Sequence, residues 1–262
     1  MATIKALIFD LWGTLVAIDT PEASQSRSRI RLRLLNEALA AAGYPYAEEE
    51  IADAFKAFAE AHAELHAREK DISSPERAAL FLERLDPSLA ERLPAEALRS
   101  VDEALAGAAR YALPVLAEGA LETLAEARRR GLTVGLISNI GYTTGYVLRD
   151  IFAQWGLAPY LDVLTFSDEA GEAKPAPGIF RRTLQALGVQ AEEAAFVGDM
   201  PALDVVGPLR VGMWSVQIGD QRLDGADPHA RISRLSELFP ALESLGLIPR
   251  RLPRAPRRTG GR

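Results

Sequence analysis

LIFDLWGTLV, residues 7–16, is an apolar run that ends on a carboxylate and then passes through a Gly-Thr pair. A short apolar run bounded by a turn signal reads as a strand buried in a sheet, here from about Ile4 to Phe9. A carboxylate at the end of such a strand is costly to bury unless something there uses it. Asp10 is therefore a candidate functional residue, and the chain downstream decides what kind of sheet holds it.

From about Pro21 to Tyr111 no strand pattern is evident. SRIRLRLLNEALAAAG, EEEIADAFKAFAEAHAELHAREK, SPERAALFLERL and PAEALRSVDEALAGAARYA all have helical period and propensity. After this helical insert, strand and helix alternate. LTVGLISN, LDVLTFS, AAFVGD and GMWSVQI read as strands, separated by the helices GYVLRDIFAQWG and PGIFRRTLQALG and a short helix after Asp199, and RLSELFPALESLG closes the series. Such alternation predicts an α/β fold, a doubly wound, Rossmann-like parallel sheet, here with an all-α helical domain inserted after the first strand. The expected division is 1–18 and 112–248 for the sheet domain, 19–111 for the helical domain and 249–262 for a basic, disordered tail.

The chain has 262 residues, enough for a core domain with a smaller one attached. It has no cysteine, which excludes disulfides, thiolate metal sites and a cysteine nucleophile. Six arginines fall between Arg250 and Arg262; subtracting them from the net charge of −6 leaves about −12 for the body. An acidic body argues against nucleic acid as a partner. No apolar run approaches a membrane span, and the N-terminus enters a strand without a signal-peptide layout. A cytoplasmic protein acting on a small molecule is expected, with its oligomeric state open.

Doubly wound sheets bind ligands beyond the carboxyl ends of their strands. The residues there are Asp10 with Gly13 and Thr14, then Ser138 and Asn139, then Asp199 with Asp204; Lys174 lies in the loop GEAKPAPGIF. Carboxylates without His or Cys suit a hard cation such as Mg²⁺. An ammonium and hydroxyls suit phosphoryl oxygens. Asp10 itself can act as a nucleophile, forming an aspartyl-phosphate or an ester.

FDLWGTLV, LISN, KPAPGIF and VGDMPALD, in that order, resemble the four motifs of the haloacid dehalogenase (HAD) superfamily of hydrolases, from Ile4 to about Leu245. The resemblance implies that the helical insert is a mobile cap that closes over the site and selects the substrate. It implies Asp10 as the nucleophile, Ser138 with Asn139 beside it as phosphoryl-binding residues, Lys174 as the group steadying Asp10 and the transferring group, Asp199 as a Mg²⁺ ligand, and Asp204 behind the metal or Lys174. Thr14 would support the loop after the first strand.

The departure is Trp12. Phosphatases of the family carry a second Asp at that place, whose carboxyl serves as acid and base and whose main-chain carbonyl binds the metal. The carbonyl survives any substitution, but an indole N–H only donates. Three readings follow: a Mg²⁺-dependent phosphohydrolase with an atypical acid, a metal-independent 2-haloacid dehalogenase, or a phosphonatase-like enzyme using a cap lysine, Lys56 or Lys70. Asp199 and Asp204 favour the first, since an enzyme that had abandoned metal would not need them. A catalytically weak protein that binds a phosphorylated ligand or a partner also stands.

Other residues read more plainly. His62 and His66 lie four apart on one helix, with no third metal ligand evident, and EAHAELHARE reads as a solvated face, although one of them could reach the site as a substitute acid. Arg27 with Arg31, and Arg29 with Arg33, occupy two faces of the first cap helix and read as an exposed basic surface; the alternative is that Arg27 or Arg29 is the carboxylate-binding arginine that dehalogenases place early in the cap. No role is assigned to His229, and Trp155 and Trp214 read as packing residues.

Overall fold

A computed structural model describes residues 3–250. Its elements in chain order are β1 (Ala6–Phe9), α1 (Pro21–Ala41), α2 (Glu48–Ala67), α3 (Ser74–Leu85), α4 (Leu89–Arg92), α5 (Ala95–Ala106), α6 (Ala108–Tyr111) and α7 (Ala120–Arg129). These are followed by β2 (Thr133–Ser138), α8 (Gly145–Trp155), β3 (Val163–Phe166), α9 (Ser167–Ala170), α10 (Pro177–Leu187) and β4 (Ala194–Gly198). A π-helical turn, Pro201–Val205, leads into α11 (Val206–Val211), then β5 (Trp214–Ile218), β6 (Ala230–Ile232) and α12 (Leu238–Ser244).

The six strands form one parallel sheet in the order β3-β2-β1-β4-β5-β6. All four residues of β1 are fully buried, as a central parallel strand requires. Leu7 and Phe9 enter the apolar cluster on one face of the sheet, and Ala6 and Ile8 enter the cluster on the other. The chain leaves β1 toward β2 on one side and later pairs β4 on the other. The crevice at this reversal is where such a sheet receives a ligand, and both Asp10 and Asp199 sit one residue past its flanking strands.

The helices between Pro21 and Tyr111 have their own apolar cluster, built from Leu35 and Leu39 of α1, Ile51, Phe55 and Phe58 of α2, Phe81 and Leu82 of α3, and Val101 and Leu105 of α5. Three- and four-residue spacing places each set on one helix face, with Ala78 of α3 standing three and four residues before Phe81 and Leu82. No helix among the described residues is long and apolar enough to cross a membrane.

The structure differs from the sequence-based expectation at a few points. Helix α1 begins at Pro21 rather than near Ser28, because the Thr20 hydroxyl accepts the Ala23 N–H and Pro21 occupies the first turn. The edge strand β6 was missed: it has three residues, ARI, and its only strand partner is β5. Residues 251–262 of the basic segment fall outside the described residues.

Candidate active site

Strand β1 delivers Asp10 to the sheet edge, where its N–H still donates to the Val197 carbonyl of β4 at 2.9 Å. The chain then folds back tightly, with the Leu11 carbonyl accepting the N–H groups of Leu15 and Val16 and the Gly13 N–H bonding Val16 O at 2.7 Å. Gly13 has a φ of +83°, and a Cβ there would stand 2.3 Å from Asp199 Oδ2. Only glycine meets both demands. Gly198 is constrained by close approach alone, since its Cβ would fall 2.5 Å from Asp204 Oδ2.

Lys174 stands at the centre. It is 1% exposed, and its Nζ donates to Asp10 Oδ1 at 2.5 Å and to Asp204 Oδ1 at 2.7 Å. Its main chain is gripped by Asn139, whose Nδ2 donates to Lys174 O at 3.0 Å while Oδ1 accepts the Lys174 N–H at 2.7 Å. The Asn139 carboxamide, expected to help bind a substrate, thus spends both its groups on positioning the lysine. Asp204 is held in turn by the Met200 N–H, at 2.9 Å from its Oδ2.

Carboxylate oxygens of Asp10, Asp199 and Asp204 lie within 4.8 Å of one another. Three carboxylates against one ammonium leave an excess of negative charge in a buried place. Burial pushes the Asp10 carboxyl up to about 7; Lys174 opposes this, and Asp204 and Asp199 add to it. Burial and the nearby Asp204 raise Asp199 to about 6. Burial disfavours the charge on Lys174, but Asp10 and Asp204 outweigh it and hold the ammonium above the ordinary lysine value. Asp199 Oδ1 is buried with no hydrogen-bond partner, and so is Thr14 Oγ1. An all-oxygen donor set with surplus charge and an unpartnered carboxylate oxygen fits a hard divalent cation such as Mg²⁺. Ser138 is fully buried at the end of β2, the strand beside β1, with only a long 3.4 Å contact to the Asn139 carbonyl.

Trp12 turns toward the helical domain. It shares a cavity of about 400 Å³ with Asp19, Ser24, Arg27, Ser28, Arg31, His66 and the core segment Asn139–Thr143. This corrects the reading of α1 as an exposed basic surface. Arg29 and Arg33 are exposed, but Arg27 and Arg31 are 8% and 4% exposed and face this cavity. Arg27 pairs with Asp19, whereas Arg31 bonds the Leu105 carbonyl at 2.7 Å and covers the Tyr142 ring. No carboxylate pairs with Arg31 among the described residues, and burial lowers its pKa to about 10.

The histidine reading is also corrected. His62 is 4% exposed, and both rings bond one carboxylate: His62 Nε2 lies 3.0 Å from Asp71 Oδ1 and His66 Nε2 lies 2.9 Å from Asp71 Oδ2. Asp71 is the third candidate ligand that sequence spacing did not reveal. Arg77 Nη2 donates to both Asp71 oxygens, at 2.7 and 2.8 Å, so a guanidinium already supplies the positive charge a metal would bring. Lys56 and Lys70 are exposed, which disfavours a cap-lysine Schiff base. Asp168 accepts the Gly145 N–H and Glu169 pairs with Arg149; neither contacts the carboxylate cluster. His229 Nδ1 accepts the Ser215 N–H at 3.1 Å, a packing role.

A family model described as a hydrolase, haloacid dehalogenase-like hydrolase, matches residues 4–212. A phosphoserine phosphatase of Thermus thermophilus is 41% identical over 120 residues, which is 44% of this chain and 47% of that protein. A Mus musculus haloacid dehalogenase-like hydrolase domain-containing protein 3 is 39% identical over 134 residues, covering 49% and 52%. The chain spans about half the length of these curated relatives. The crystal structure of a 2-haloacid dehalogenase from Pseudomonas syringae superposes with a TM-score of 0.69 over 93% of this chain and 100% of that one; at 23% identity this is a likeness of fold.

Gly13 and Gly43 together test how tightly the β1 loop is built around Asp199. Both have positive φ, but nothing lies within 4 Å of a Cβ at Gly43. Gly43→Ala is expected to cost only the backbone strain of ~1–2 kcal/mol in urea denaturation. Gly13→Ala is expected to cost clearly more, because Asp199 must also move.

Proposed function

The chain belongs to the haloacid dehalogenase-like hydrolases, and from that premise we propose that it is a Mg²⁺-dependent phosphohydrolase of a small phosphorylated metabolite, working through an aspartyl-phosphate on Asp10. One observation carries this reading: two buried carboxylates, Asp10 and Asp204, share a single ammonium, and a third, the half-buried Asp199, stands beside them with an oxygen that has no partner. The phosphatase names of several curated relatives, among them phosphoserine phosphatase and glyceraldehyde 3-phosphate phosphatase, support the substrate class.

Lys174 binds Asp10 Oδ1, which leaves Oδ2 to attack phosphorus. Ser138 and Thr14 donate to the phosphoryl oxygens, and the buried Thr14 hydroxyl has no competing partner. Asp204 keeps the lysine aligned from the far side. Asp10, Asp199 and the Trp12 main-chain carbonyl would hold Mg²⁺, whose charge offsets the repulsion between the phosphoryl group and the carboxylates. Residues 19–111 act as a cap over the core formed by 1–18 and 112–248, excluding water from the site. The cap also favours an anionic substrate: Arg31 brings to the cavity a guanidinium that no carboxylate neutralises.

The second reading is a 2-haloacid dehalogenase, favoured by the missing acid at Trp12, since halide leaves without a proton. It gives Asp199, which pairs with no cation among the described residues, no work, and leaves Asp204 only the alignment of Lys174.

Three outcomes follow. Asp10→Asn should abolish hydrolysis of acetyl phosphate and p-nitrophenyl phosphate; metal-independent release of halide from 2-chloropropionate by the wild-type chain would instead establish the dehalogenase. Protons on Asp10 and Asp199, with pKa values near 7 and 6, compete with the cation. Mg²⁺ affinity measured by calorimetry should therefore rise between pH 5.5 and 7.5, and a flat profile would contradict the ligand assignment. Arg31→Met should raise KM for phosphate esters whose leaving group carries a carboxylate, with little change for neutral leaving groups.

A further inference from the structure

Hydrolysis of a phosphate ester must deliver a proton to the departing oxygen and later take one from water. Residue 12 offers an indole for this work, and the core motifs supply no other carboxyl in its place. The ionisable side chains lining the cavity beside Trp12 are Asp19, Arg27, Arg31, His66 and Tyr142. Asp19 is tied to Arg27. Guanidinium groups keep their protons, and a phenol loses its own only in alkali. His66 is the one side chain of a type that exchanges a proton near neutrality.

The ring is also held as an acid–base group needs to be. Its Nε2 bonds Asp71 Oδ2 at 2.9 Å, while Nδ1 has no hydrogen-bond partner among the described residues and is not sealed from solvent. The side chain is 23% exposed, so it is not locked into the cap interior. Asp71 remains a carboxylate. Burial works against its charge, but hydrogen bonds from His62 and His66, the Arg77 charge and the Ser167 hydroxyl hold it well below the usual range. An ionised carboxylate at Nε2 fixes a proton there and leaves Nδ1 as the atom that gains and loses one. The charged and titratable groups around the ring are His62 on α2, Asp71, Arg77 on α3, and Asp19, Arg27 and Arg31 across the cavity.

The same network fixes His66 against the core. Ser167 Oγ donates to Asp71 Oδ2 at 2.5 Å and accepts the Ile140 N–H at 2.7 Å. Arg77 donates to the carbonyls of Ile140 at 3.0 Å and Gly141 at 2.5 Å. Those two residues directly follow Ser138 and Asn139. The cap therefore docks its His–Asp pair on the segment proposed to bind the phosphoryl group.

We propose that His66, oriented by Asp71, is the general acid and base of this enzyme, replacing from the cap the carboxyl that Trp12 lacks. In the first step Asp10 bonds phosphorus, the phosphorus–oxygen bond to the leaving group breaks, and that oxygen takes the proton from His66 Nδ1. In the second, water attacks phosphorus and passes a proton to Nδ1, and the bond to Asp10 breaks to give inorganic phosphate and the free carboxylate. Asp71 is a positioning residue in this scheme. The inference rests on the phosphohydrolase reading.

Its test is the dependence of rate on the leaving group. For wild-type protein with Mg²⁺, kcat/KM across a series of phosphate monoesters should vary little with leaving-group pKa. In His66→Gln, kcat/KM for an alkyl phosphate should fall by ~10²–10⁴, while kcat/KM for acetyl phosphate, whose leaving group needs no proton, falls far less; kcat falls for both, because the second step, which needs His66 as base, is common to them. Trp12→Asp in the His66→Gln background should restore part of the alkyl phosphate activity. An equal loss of kcat/KM on both substrates would assign His66 a structural role and overturn the proposal, as would no loss on the alkyl ester. Should His66→Gln fail to fold, a steep leaving-group dependence in the wild-type protein overturns it alone. If Asp10→Asn leaves acetyl phosphate hydrolysis intact, the phosphohydrolase reading fails instead.

Discussion

A single buried ammonium is shared between two carboxylates, with a third close by. Lys174 is almost fully enclosed, and removing either of its partners would leave charge in a low-dielectric place, a change that typically costs several kcal/mol. Much of the surrounding backbone is arranged to keep this contact. Asn139 clamps the lysine main chain from the end of β2, Met200 holds Asp204 from the π-turn after β4, and β1 brings Asp10 between them. Gly13 and Gly198 lack side chains because Asp199 and Asp204 occupy the space a Cβ would need. Charge balance at one sheet edge thus dictates residue choice on three separate strands or their loops.

Trp12 separates two functions that one residue can serve. Its main-chain carbonyl keeps its place whatever the side chain, so the cation-binding edge is indifferent to the substitution. Its side chain lines the cap cavity together with Arg27, Arg31 and His66. On the phosphohydrolase proposal, the proton transfer that a core carboxyl would have supplied is assigned to those cap residues. Substrate selection and proton transfer then lie on the same helices, α1 and α2, rather than being divided between cap and core.

The sheet and the order of its strand-end residues were legible because both follow from local patterns. Short apolar runs alternating with helical periods specify a parallel sheet, and a parallel sheet places Asp10, Ser138 and Asp199 on one edge. The cap chemistry was not legible for a definite reason. An i, i+4 spacing says that Arg27 and Arg31, or His62 and His66, share a face, but not whether that face is buried. The burial of these residues depends on partners far away in sequence: Asp71 meets Ser167 across 96 residues, and Arg77 meets Gly141 across 64. The role of Asn139 was hidden in the same way, because its bonds to Lys174 span 35 residues. Strand β6 is an edge element of three residues, too short for alternation to register.

The distribution of the Asp71 network explains how such a cap can carry buried charge and still move. His62, His66, Asp71 and Arg77 all belong to the helical segment, so the ion pair is complete within the cap itself. The side-chain links of this cluster to the core are the Ser167 hydroxyl and the Ile140 and Gly141 carbonyls, all neutral groups; the ion pairs Glu69–Arg210 and Arg110–Asp150, which do join the two segments, are not buried. Opening would return those three to water, where each regains a hydrogen bond, and would strand no unpaired ion. A neutral hydrogen bond exchanged for water contributes about 0.5–1.5 kcal/mol, whereas an orphaned buried charge costs far more. Keeping both signs of the buried charge in this cluster on one side of the interface makes docking specific in register without making release prohibitive. Since His66 is part of that cap-borne cluster, a proton donor there, as proposed, would arrive already oriented on closure of the cap.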